Sequence, residues 1–434
     1  MCIRDSTDRE RSTQESVDAI LHGMEWLGLD HDEGPFYQTQ RFDRYKQVIE
    51  KLLAEGKAYR CYCTREELDA LRQEQQKNKQ KPKYDGRYRE HTGAIPNNVD
   101  PVIRFKNPLD GAVVIQDHVL GEIVINNSEL DDLIIARSDG TPTYNLTVVV
   151  DDLDMNITHI IRGDDHVNNT PRQINMIEAL DGTLPNYAHV PMILGNDGKR
   201  MSKRHGAVSV SAYEDEGYLP EALLNYLVRL GWAHGDQEIF SKQEMIALFA
   251  LEQVNKSAAA FDIDKLQWLN QQYIKQASNE KLSSWVELAL SKKNIKPSSP
   301  EQLNKVVELQ KDRVKTLSEM ANISKYFFAD FESYDEKSAN KHFKQVSLPI
   351  LQSMRAKLDG IEDWNAQNIQ QCIQHYAEES ELKLGKIAPP IRVAVCGNAN
   401  SPSIDITLEL IGKKRVLTRI DNAITYISSL VEGG

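Results

Sequence analysis

Two charged loops, each placed near a segment with the pattern of a strand, constrain the fold of this chain most strongly. Leu146–Val150 is a short β-branched run between turn signals, which predicts a buried parallel strand. The charged loop Arg162–His166 precedes Thr170, where a cap, a proline and a capping-box glutamine, Gln173, predict the start of a helix. Tyr187–Leu194 predicts another strand, and a cationic loop follows it. This order predicts half of a doubly wound nucleotide-binding sheet, in which the charged loops meet at the carboxyl ends of the strands.

The cationic loop, Gly198–His205, lies about 40 residues after the first loop and suits phosphate chemistry. Gly195 and Gly198 permit tight backbone turns, so the loop could close as a clamp over a polyphosphate. A run of this kind is also typical of a solvated or nonspecific polyanion patch. The neighbouring strands and helix favour the phosphate clamp. The loop surrounds Ser202 with Lys199, Arg200, Lys203 and Arg204.

Basic residues form local clusters although the formal net charge is −12. A uniform negative charge would argue against a nucleic-acid partner, but phosphate contacts depend on local clusters. Both clusters could also be solvated helix and loop surfaces; their positions at opposite ends of the chain suit an L-shaped RNA. One contains Arg72, Lys77, Lys79, Lys81, Lys83, Arg87 and Arg89. The other contains Lys383, Lys386, Arg392, Lys413, Lys414, Arg415 and Arg419.

Five unevenly placed cysteines in 434 residues do not suggest a disulfide framework. No apolar stretch approaches the length of a membrane span. We therefore expect a reducing cytosolic environment.

Motifs spread over the whole chain occur in a characteristic order. The strongest are Arg162–His166, Asn168–Gln173 and Arg200–Arg204. Weaker ones, which gain weight from their number and order, are Glu33–Tyr37, Gln40–Tyr45, Cys61–Cys63, Tyr84–Arg87, Glu129–Ile134 and Pro220–Leu227. Together they resemble a bacterial glutamyl-tRNA synthetase, a class I aminoacyl-tRNA synthetase, and Arg200–Arg204 is similar to that family's version of the Lys-Met-Ser-Lys-Ser signature.

The resemblance implies a multidomain protein of α/β plus all-α class, with a class I Rossmann-type nucleotide-binding fold. Residues 1–58 and 140–210 would form the split catalytic domain, and residues 59–139 an α+β connective insertion for the acceptor end of tRNA. A stem-contact domain at 211–282 and a helical anticodon-binding region at 283–434 would follow. The helical end distinguishes the chain from glutaminyl-tRNA synthetases, which read the anticodon with β-barrels.

Local patterns add expectations for single elements. Short strands are predicted at Val102–Phe105, Val113–Gln116 and Gly121–Ile125. A helix started by proline and stopped by glycine is predicted over Pro220–Leu230. We expect Trp268 in the core rather than in a stack with RNA.

The N-terminus departs from the family. Relatives begin with a strand and a His-Ile-Gly-His-like loop that contacts ATP, whereas the similarity here starts at Thr7 and Met1–Ser6 does not fit. We therefore expect a truncated chain that is inactive alone. The alternative is a noncatalytic tRNA-binding protein derived from such an enzyme.

The resemblance implies a glutamate–tRNA ligase, which activates L-glutamate with ATP as glutamyl-adenylate and transfers it to the 3'-terminal adenosine of tRNA(Glu), releasing AMP and diphosphate. Catalytic positions would be Lys203, Arg200 and Ser202. ATP contacts would come from Lys203, Asp164, Asp165, His166, Met192 and Ile193. Glutamate contacts would come from Arg162, Tyr144 and Asn145, although Tyr144 could also be a core residue. Asp164–His166 could alternatively bind a metal, but adjacent loop residues rarely aim three ligands at one ion.

The remaining expectations concern tRNA, metals and assembly. The tRNA-binding candidates are Arg87, Lys386, Arg392, Arg415 and Arg419. Zinc-containing relatives add a Cys-x-His pair about 25 residues after Cys61 and Cys63, where this chain has Tyr88 and Glu90. Two thiolates are only half of a zinc site, so we expect no zinc there, although Tyr88, Glu90 or His91 could complete an unusual site. The resemblance implies ATP with Mg²⁺ as substrate, a cytoplasmic location and a monomer.

Overall fold

The computed structural model describes residues 2–4, 13–96, 99–201 and 209–432. The chain divides into two compact units, one formed by residues 1–211 and 224–262 and the other by residues 212–223 and 263–434. Each unit has its own apolar core. In the described parts of the chain, no helix is both long and apolar enough to cross a bilayer. The four-part division expected from the family stays a prediction.

The described strands of the first unit belong to separate sheets. They are β1 Cys2–Arg4, β2 Glu33–Phe36, β3 Ala58–Cys61, β4 Val102–Phe105, β5 Ala112–Asp117, β6 Gly121–Asn126, β7 Ile134–Ala136, β8 His159–Gly163 and β9 Asn186–Val190. The strands predicted at β4, β5 and β6 are thereby confirmed. Parallel β1 and β2 form one pair, and antiparallel β3, β4 and β7 form another sheet.

The sheet that positions the charged loops has the order β6-β5-β9-β8. β8 and β9 run parallel with Arg162 opposite His189 and Gly163 opposite Val190. β5 joins β9 in parallel through Asp117 and Tyr187, and pairs antiparallel with β6. Parallel strands place their carboxyl ends at one edge. Gly163 and Val190 end β8 and β9 level with each other, whereas β5 ends earlier, with Asp117 opposite Tyr187.

Helices make up much of the rest of the first unit. They are α1 Gln14–Trp26, α2 Phe42–Ala54, α3 Arg65–Lys77, α4 Tyr144–Asp154, α5 Thr170–Ala179 and α8 Lys242–Leu248, while the division between the units falls within α6 Val210–Asp215 and α7 Pro220–Gly231. The helix predicted from Pro220 is confirmed.

The strand predicted at Leu146–Val150 is wrong, because this run lies within helix α4. All residues from Leu146 to Asp152 are buried, and Leu146, Val149 and Val150 belong to one core with Tyr45 and Met176. A helix that is buried all round needs no polar face, so its sequence resembles a buried strand over so short a run. Tertiary packing here outweighs the modest helix penalty of valine.

Helix α5 begins at the predicted residue, but the predicted capping box is wrong. The N-cap residue is Asn169, and no side chain caps the helix. Thr170 and Gln173 are fully buried, and both hydrogen-bond to Arg162. The two polar side chains therefore serve a tertiary cluster.

The second unit is helical in its described residues. Its helices are α9 Ile263–Gln276, α10 Asn279–Ser291, α11 Pro300–Gln310, α12 Leu317–Ile323, α13 Lys325–Phe328, α14 Glu336–His342, α15 Leu348–Asp359, α16 Ala366–Glu379, α17 Leu384–Cys396, α18 Ile404–Ile411 and α19 Lys413–Glu432. They enclose one large core that includes Leu303, Val314 and Ile420.

Trp268 is not a core residue, contrary to expectation. Its side chain is 39% exposed, while α9 buries Leu266, Leu269 and Ile274. Trp268 lies off that buried face, and the ammonium of Lys265 sits 4.5 Å from the centre of its ring. This cation–π contact accounts for a half-exposed tryptophan.

Candidate active site

The two charged loops leave the carboxyl ends of neighbouring strands. Asp164–His166 forms one turn of 3-10 helix directly after β8. The segment after β9 turns at Gly195–Gly198, where Gly198 has a φ of 72°, and returns through a bridge between Leu194 and Arg200. Both segments therefore start from one edge of one sheet, as predicted, although the strand before the first segment is β8 and not the predicted Leu146–Val150.

Arg162 is half-buried and held by neutral groups. Its Nη2 donates to Thr170 Oγ1 at 2.7 Å and to Gln173 Oε1 at 2.8 Å, and its Nε donates to His189 Nε2 at 3.3 Å. Its guanidinium carbon lies 5.9 Å from the ring centre of Tyr187. Among the described residues, no carboxylate pairs with Arg162, so its positive charge is available to an anionic ligand.

Asn145 and Arg162 are joined through Gln173. The Nε2 of Gln173 donates to Asn145 Oδ1 at 2.9 Å, while its Oε1 accepts from Arg162. The amide orientation is thereby fixed, since an arginine can only donate. Two of the three predicted glutamate-binding residues thus share one hydrogen-bonded chain.

Tyr144, the third, stands at the first residue of α4 and is 44% exposed, so it is not part of the core. Its hydroxyl is 3.4 Å from His166 Nδ1, and the two ring centres are 5.8 Å apart. His166 Nδ1 is also 3.3 Å from Asn169 Nδ2. This contact brings a predicted glutamate-binding residue beside a predicted ATP-binding one.

Asp165 connects the two charged segments. Its Oδ2 lies 3.4 Å from Arg200 Nη1, and both side chains are exposed to solvent. Gly163 is packed closely at this point, because a Cβ there would lie 2.7 Å from Asp165 Oδ1 and 3.2 Å from Met192 Sδ. The predicted residues Arg200, Asp165 and Met192 therefore converge.

Of the other predicted ATP-site and catalytic residues, the structure describes Asp164 and Ile193. Asp164 is partly buried in the turn after β8. The carbonyl of Ile193 accepts from the backbone N–H of Met201 at 3.0 Å, which ties the returning segment to the strand side. Ser202 and Lys203 lie outside the described residues.

His189 and Asp117, which the sequence did not predict, extend the group of side chains formed by Arg162, Thr170 and Gln173. Their side chains are both fully buried, and His189 Nδ1 is 2.6 Å from Asp117 Oδ2. Burial lowers the pKa of His189, which outweighs the opposing effect of Asp117. Burial alone would raise the pKa of Asp117, but backbone N–H groups, foremost that of Leu120, and the His189 side chain lower it. The pair is therefore a neutral imidazole beside a carboxylate.

Among the residues that the structure describes, no His, Asp or Glu side chain completes a metal site with Cys61 and Cys63. Cys61 is buried with its sulfur 3.4 Å from the hydroxyl of Tyr84, and Glu90 pairs with Lys106 at 2.5 Å. Burial raises the pKa of Cys63 to about 11. The described part of the chain contains no group of three or more His, Cys, Asp or Glu side chains arranged to hold a metal ion. The metal-free insertion stays a prediction.

The tRNA-binding candidates differ in their accessibility. Arg87 pairs with Asp85 at 2.8 Å on the surface, and Lys386 is exposed. Arg392 donates to Ser401 Oγ at 2.7 Å, and Arg415 donates to the carbonyl of Phe327 at 3.0 Å. Arg419 is only 3% exposed and is enclosed by carbonyl groups. Their contacts with RNA stay predictions, and burial makes Arg419 the least accessible of the five.

Two family models together match most of the chain. Residues 1–268 match the family model for the catalytic domain of class I tRNA synthetases (E and Q), and residues 264–424 match the anticodon binding domain. The chain belongs to the glutamate–tRNA ligase family of class I tRNA synthetases, which confirms the resemblance found in the sequence.

Individual relatives agree over almost the whole chain. Glutamate–tRNA ligase 1 of Alkalilimnicola ehrlichii is 58% identical and covers 99% of this chain and 91% of the relative. Glutamate–tRNA ligase 1 of Nitrosococcus oceani is 56% identical over 98% of this chain and 90% of its own length. The crystal structure of a glutamate tRNA ligase from Elizabethkingia meningosepticum, in complex with its amino acid, superposes with a TM-score of 0.85 at 32% identity, covering 98% of this chain and 92% of that one.

Proposed function

We propose that this chain catalyses ATP-dependent attachment of L-glutamate to tRNA(Glu), in place of the inactivity expected from its N-terminus. The observation that carries the proposal is the environment of Arg162, a guanidinium held by Thr170, Gln173 and His189 and left without a carboxylate partner among the described residues. Arginine pairs bidentately with carboxylates. An acidic amino acid placed there would lie at the strand edge from which both charged segments start.

The first step forms glutamyl-adenylate. An α-carboxylate oxygen of glutamate attacks the α-phosphorus of ATP and forms a bond to it. The bond from the α-phosphorus to the oxygen that bridges to the β-phosphate breaks, and pyrophosphate leaves. A ribose hydroxyl of the terminal adenosine then attacks the activated carbonyl, loses its proton, and AMP leaves. These steps need positioning and charge stabilisation rather than a covalent enzyme intermediate.

The proposed roles divide between the two segments. Lys203 and Arg200 would stabilise phosphate charge in the Mg²⁺–ATP substrate, with Ser202 shaping the loop. Asp164, Asp165 and His166 would contact ATP and place the adenosine, and the backbone of Met192 and Ile193 would meet the adenine. The pairing of Asp165 with Arg200 supports a shared site for these two groups. Tyr144 and Asn145 would line the glutamate pocket beside Arg162.

The second unit would bind the tRNA, with Arg87 in the first unit and Lys386, Arg392, Arg415 and Arg419 as candidate contacts. The match to the anticodon binding domain supports this assignment. A monomeric, cytoplasmic enzyme is part of the proposal. The catalytic-domain match favours the ligase over a noncatalytic tRNA-binding protein.

The test is tRNA-dependent incorporation of labelled glutamate with ATP and bacterial tRNA. Arg162→Ala should raise the KM for glutamate about a hundredfold, because a charge-assisted pair with a carboxylate is lost. The control is Arg65→Ala, which removes an exposed guanidinium at the start of α3 and should leave that KM unchanged. An unchanged glutamate KM in Arg162→Ala would refute the role of Arg162, and tRNA binding without any glutamylation would favour the noncatalytic alternative.

A further inference from the structure

The buried pair of Asp117 and His189 takes no part in the chemistry proposed above. Asp117 ends β5 and His189 lies in β9, and neither side chain is exposed to solvent. Burying a carboxylate and an imidazole is costly unless their hydrogen-bonding capacity is used. The contacts of the pair show what it is used for.

Asp117 acts only as an acceptor. Its Oδ1 accepts the backbone N–H groups of Val119 at 2.9 Å and Leu120 at 2.8 Å, and both oxygens lie within 3.2 Å of the His189 backbone N–H. With donors on both oxygens, the carboxylate is ionised. The proton between Asp117 and His189 therefore resides on His189 Nδ1.

This proton fixes the tautomer of His189. The ring is neutral and carries hydrogen on Nδ1, so Nε2 presents a lone pair. The Nε2 nitrogen lies 3.3 Å from Arg162 Nε and 2.9 Å from Thr170 Oγ1. Since an arginine nitrogen can only donate, the Nδ1–H tautomer is the one that can accept the Arg162 contact.

We infer that Asp117 and His189 are positioning residues for Arg162, and that they aim its guanidinium at the carboxylate of the substrate by holding His189 in the accepting tautomer. The inference rests on the proposed role of Arg162 in glutamate binding. A carboxylate in direct contact with Arg162 would hold the guanidinium but would compete with the substrate carboxylate. A neutral ring between Asp117 and Arg162 fixes the direction of Nε. Nη1, which hydrogen-bonds to none of the described residues, is left for the ligand.

Asp117→Asn tests the tautomer with an isosteric change. The backbone donors require the amide oxygen at the Oδ1 position, so the amide nitrogen faces His189 Nδ1 as a donor. The His189 ring must then carry its proton on Nε2. Its Nε2–H would face the Nε–H of Arg162, so two donors would meet and the hydrogen bond would be lost. We expect the KM for glutamate to rise about tenfold, the size of one lost hydrogen bond to a charged group, with the KM for ATP unchanged. The control is Asp110→Asn, the same chemical change at an exposed side chain in the turn before β5.

His189→Asn and His189→Gln form a matched pair. Asparagine can reach Asp117 in place of Nδ1 but has no acceptor at the Nε2 position, whereas glutamine can place its amide oxygen there. Partial rescue of the glutamate KM by His189→Gln relative to His189→Asn is expected. Equal loss in both, together with equal increases in the KM for glutamate and for ATP, would show a general structural role and overturn the inference.

The combination with Arg162→Ala separates this inference from the proposed function. If Arg162→Ala leaves the glutamate KM unchanged, the proposed function of Arg162 fails. If Arg162→Ala raises that KM but Asp117→Asn does not, only the positioning role fails.

In the Arg162→Ala background, Asp117→Asn should cause no further rise in the glutamate KM, because the effects of residues that act through one partner are not additive. Nitrogen NMR of the wild-type histidines provides a readout independent of turnover, and a ring protonated on Nε2 would overturn the inference.

Discussion

The phenol of Tyr45 lies 3.0 and 3.1 Å from the two carboxylate oxygens of Asp151, and both side chains are buried. Asp151 also accepts from Gln38 Nε2 and from Arg41 Nε, each at 2.8 Å. Helix α2 and helix α4 are thus joined by a carboxylate that has a donor on each side. The pKa of Tyr45 is raised, first by burial and then by the nearby charge of Asp151, which keeps the phenol a donor.

Tyr45→Phe should destabilise the first unit by about 1 kcal/mol, and Asp151→Ala by about 3 kcal/mol, since the latter strands several buried donors. Hydrogen exchange of the backbone amides in α2 and α4 measures the loss of stability in these two helices. Arg44→Ala is a suitable control, because its ion pair with Asp154 is partly exposed and contributes little. Equal exchange rates in Asp151→Ala and wild type would contradict the expectation.

Arg419 should act on stability more than on RNA affinity. Its guanidinium donates to the carbonyls of Tyr326 and Ala329 at 2.9 and 2.7 Å and to Asp330 Oδ1 at 2.9 Å. Arg419→Ala leaves buried carbonyls unsatisfied and should cost the second unit about 3 kcal/mol in free energy of unfolding. Arg419→Lys should recover little, because an ammonium cannot span these positions.

Urea denaturation followed by far-UV circular dichroism measures this loss, with Lys386→Ala as the control on an exposed lysine. Lys386→Ala should stay within about 0.5 kcal/mol of wild type. An Arg419→Ala protein that unfolds like wild type but binds tRNA more weakly would instead support direct RNA contact.

The pair of Asp117 and His189 should make the first unit less stable in mild acid. The pKa of His189 is lowered from 6.5 by burial, so below that pH the unfolded chain binds a proton that the folded ring resists. The contribution of the neutral His189 ring to the free energy of unfolding is complete above pH 6.5 and is lost as the pH falls below that value. The lowered pKa of Asp117 acts in the same direction at lower pH. Unfolding measured between pH 7 and 5 should show a smaller loss in His189→Gln, and identical slopes would contradict the expectation.

Zinc should be absent from the thiol pair. The raised pKa of Cys63, caused first by burial, disfavours the thiolate that a metal requires, and Glu90 is occupied by Lys106. We expect less than one zinc per ten chains by mass spectrometry of the purified protein, and no change in unfolding temperature with a chelator. Stoichiometric zinc that disappears in Cys63→Ser would contradict this.

Several secondary-structure elements could be predicted from neighbouring residues, whereas the prediction for Leu146–Val150 was wrong because of contacts between residues distant in the chain. The turns around β4, β5 and β6, the proline of α7 and the start of α5 are encoded by neighbouring residues, so the sequence predicted them. Leu146–Val150 failed because its burial on all sides depends on α2 and α5, which no local window contains.

The active site shows the same division. Arg162, Asp165 and Arg200 stand in recognisable motifs, and the structure brings Asp165 and Arg200 together. Asp117 and His189 are 72 residues apart in the chain, and neither lies in a motif. Only the parallel pairing of β5 with β9 makes them neighbours. An isolated aspartate after a predicted strand gives no signal that could have found the pair.

Gly163→Ala should weaken ATP binding through Asp165. The backbone of Gly163, with φ −63° and ψ 148°, accepts any residue, so the effect comes from contacts alone. A new Cβ would meet Asp165 Oδ1 at 2.7 Å and Met192 Sδ at 3.2 Å, and the flexible carboxylate must move away from Arg200. We expect a loss of about 1 kcal/mol in ATP binding, or about fivefold in KM. Gly231→Ala is the control, because its added methyl would find only an ordinary 3.8 Å contact with Val254. Steady-state glutamylation at varied ATP decides the matter: an ATP KM equal to that of Gly231→Ala would show that Asp165 does not position Arg200 for the nucleotide.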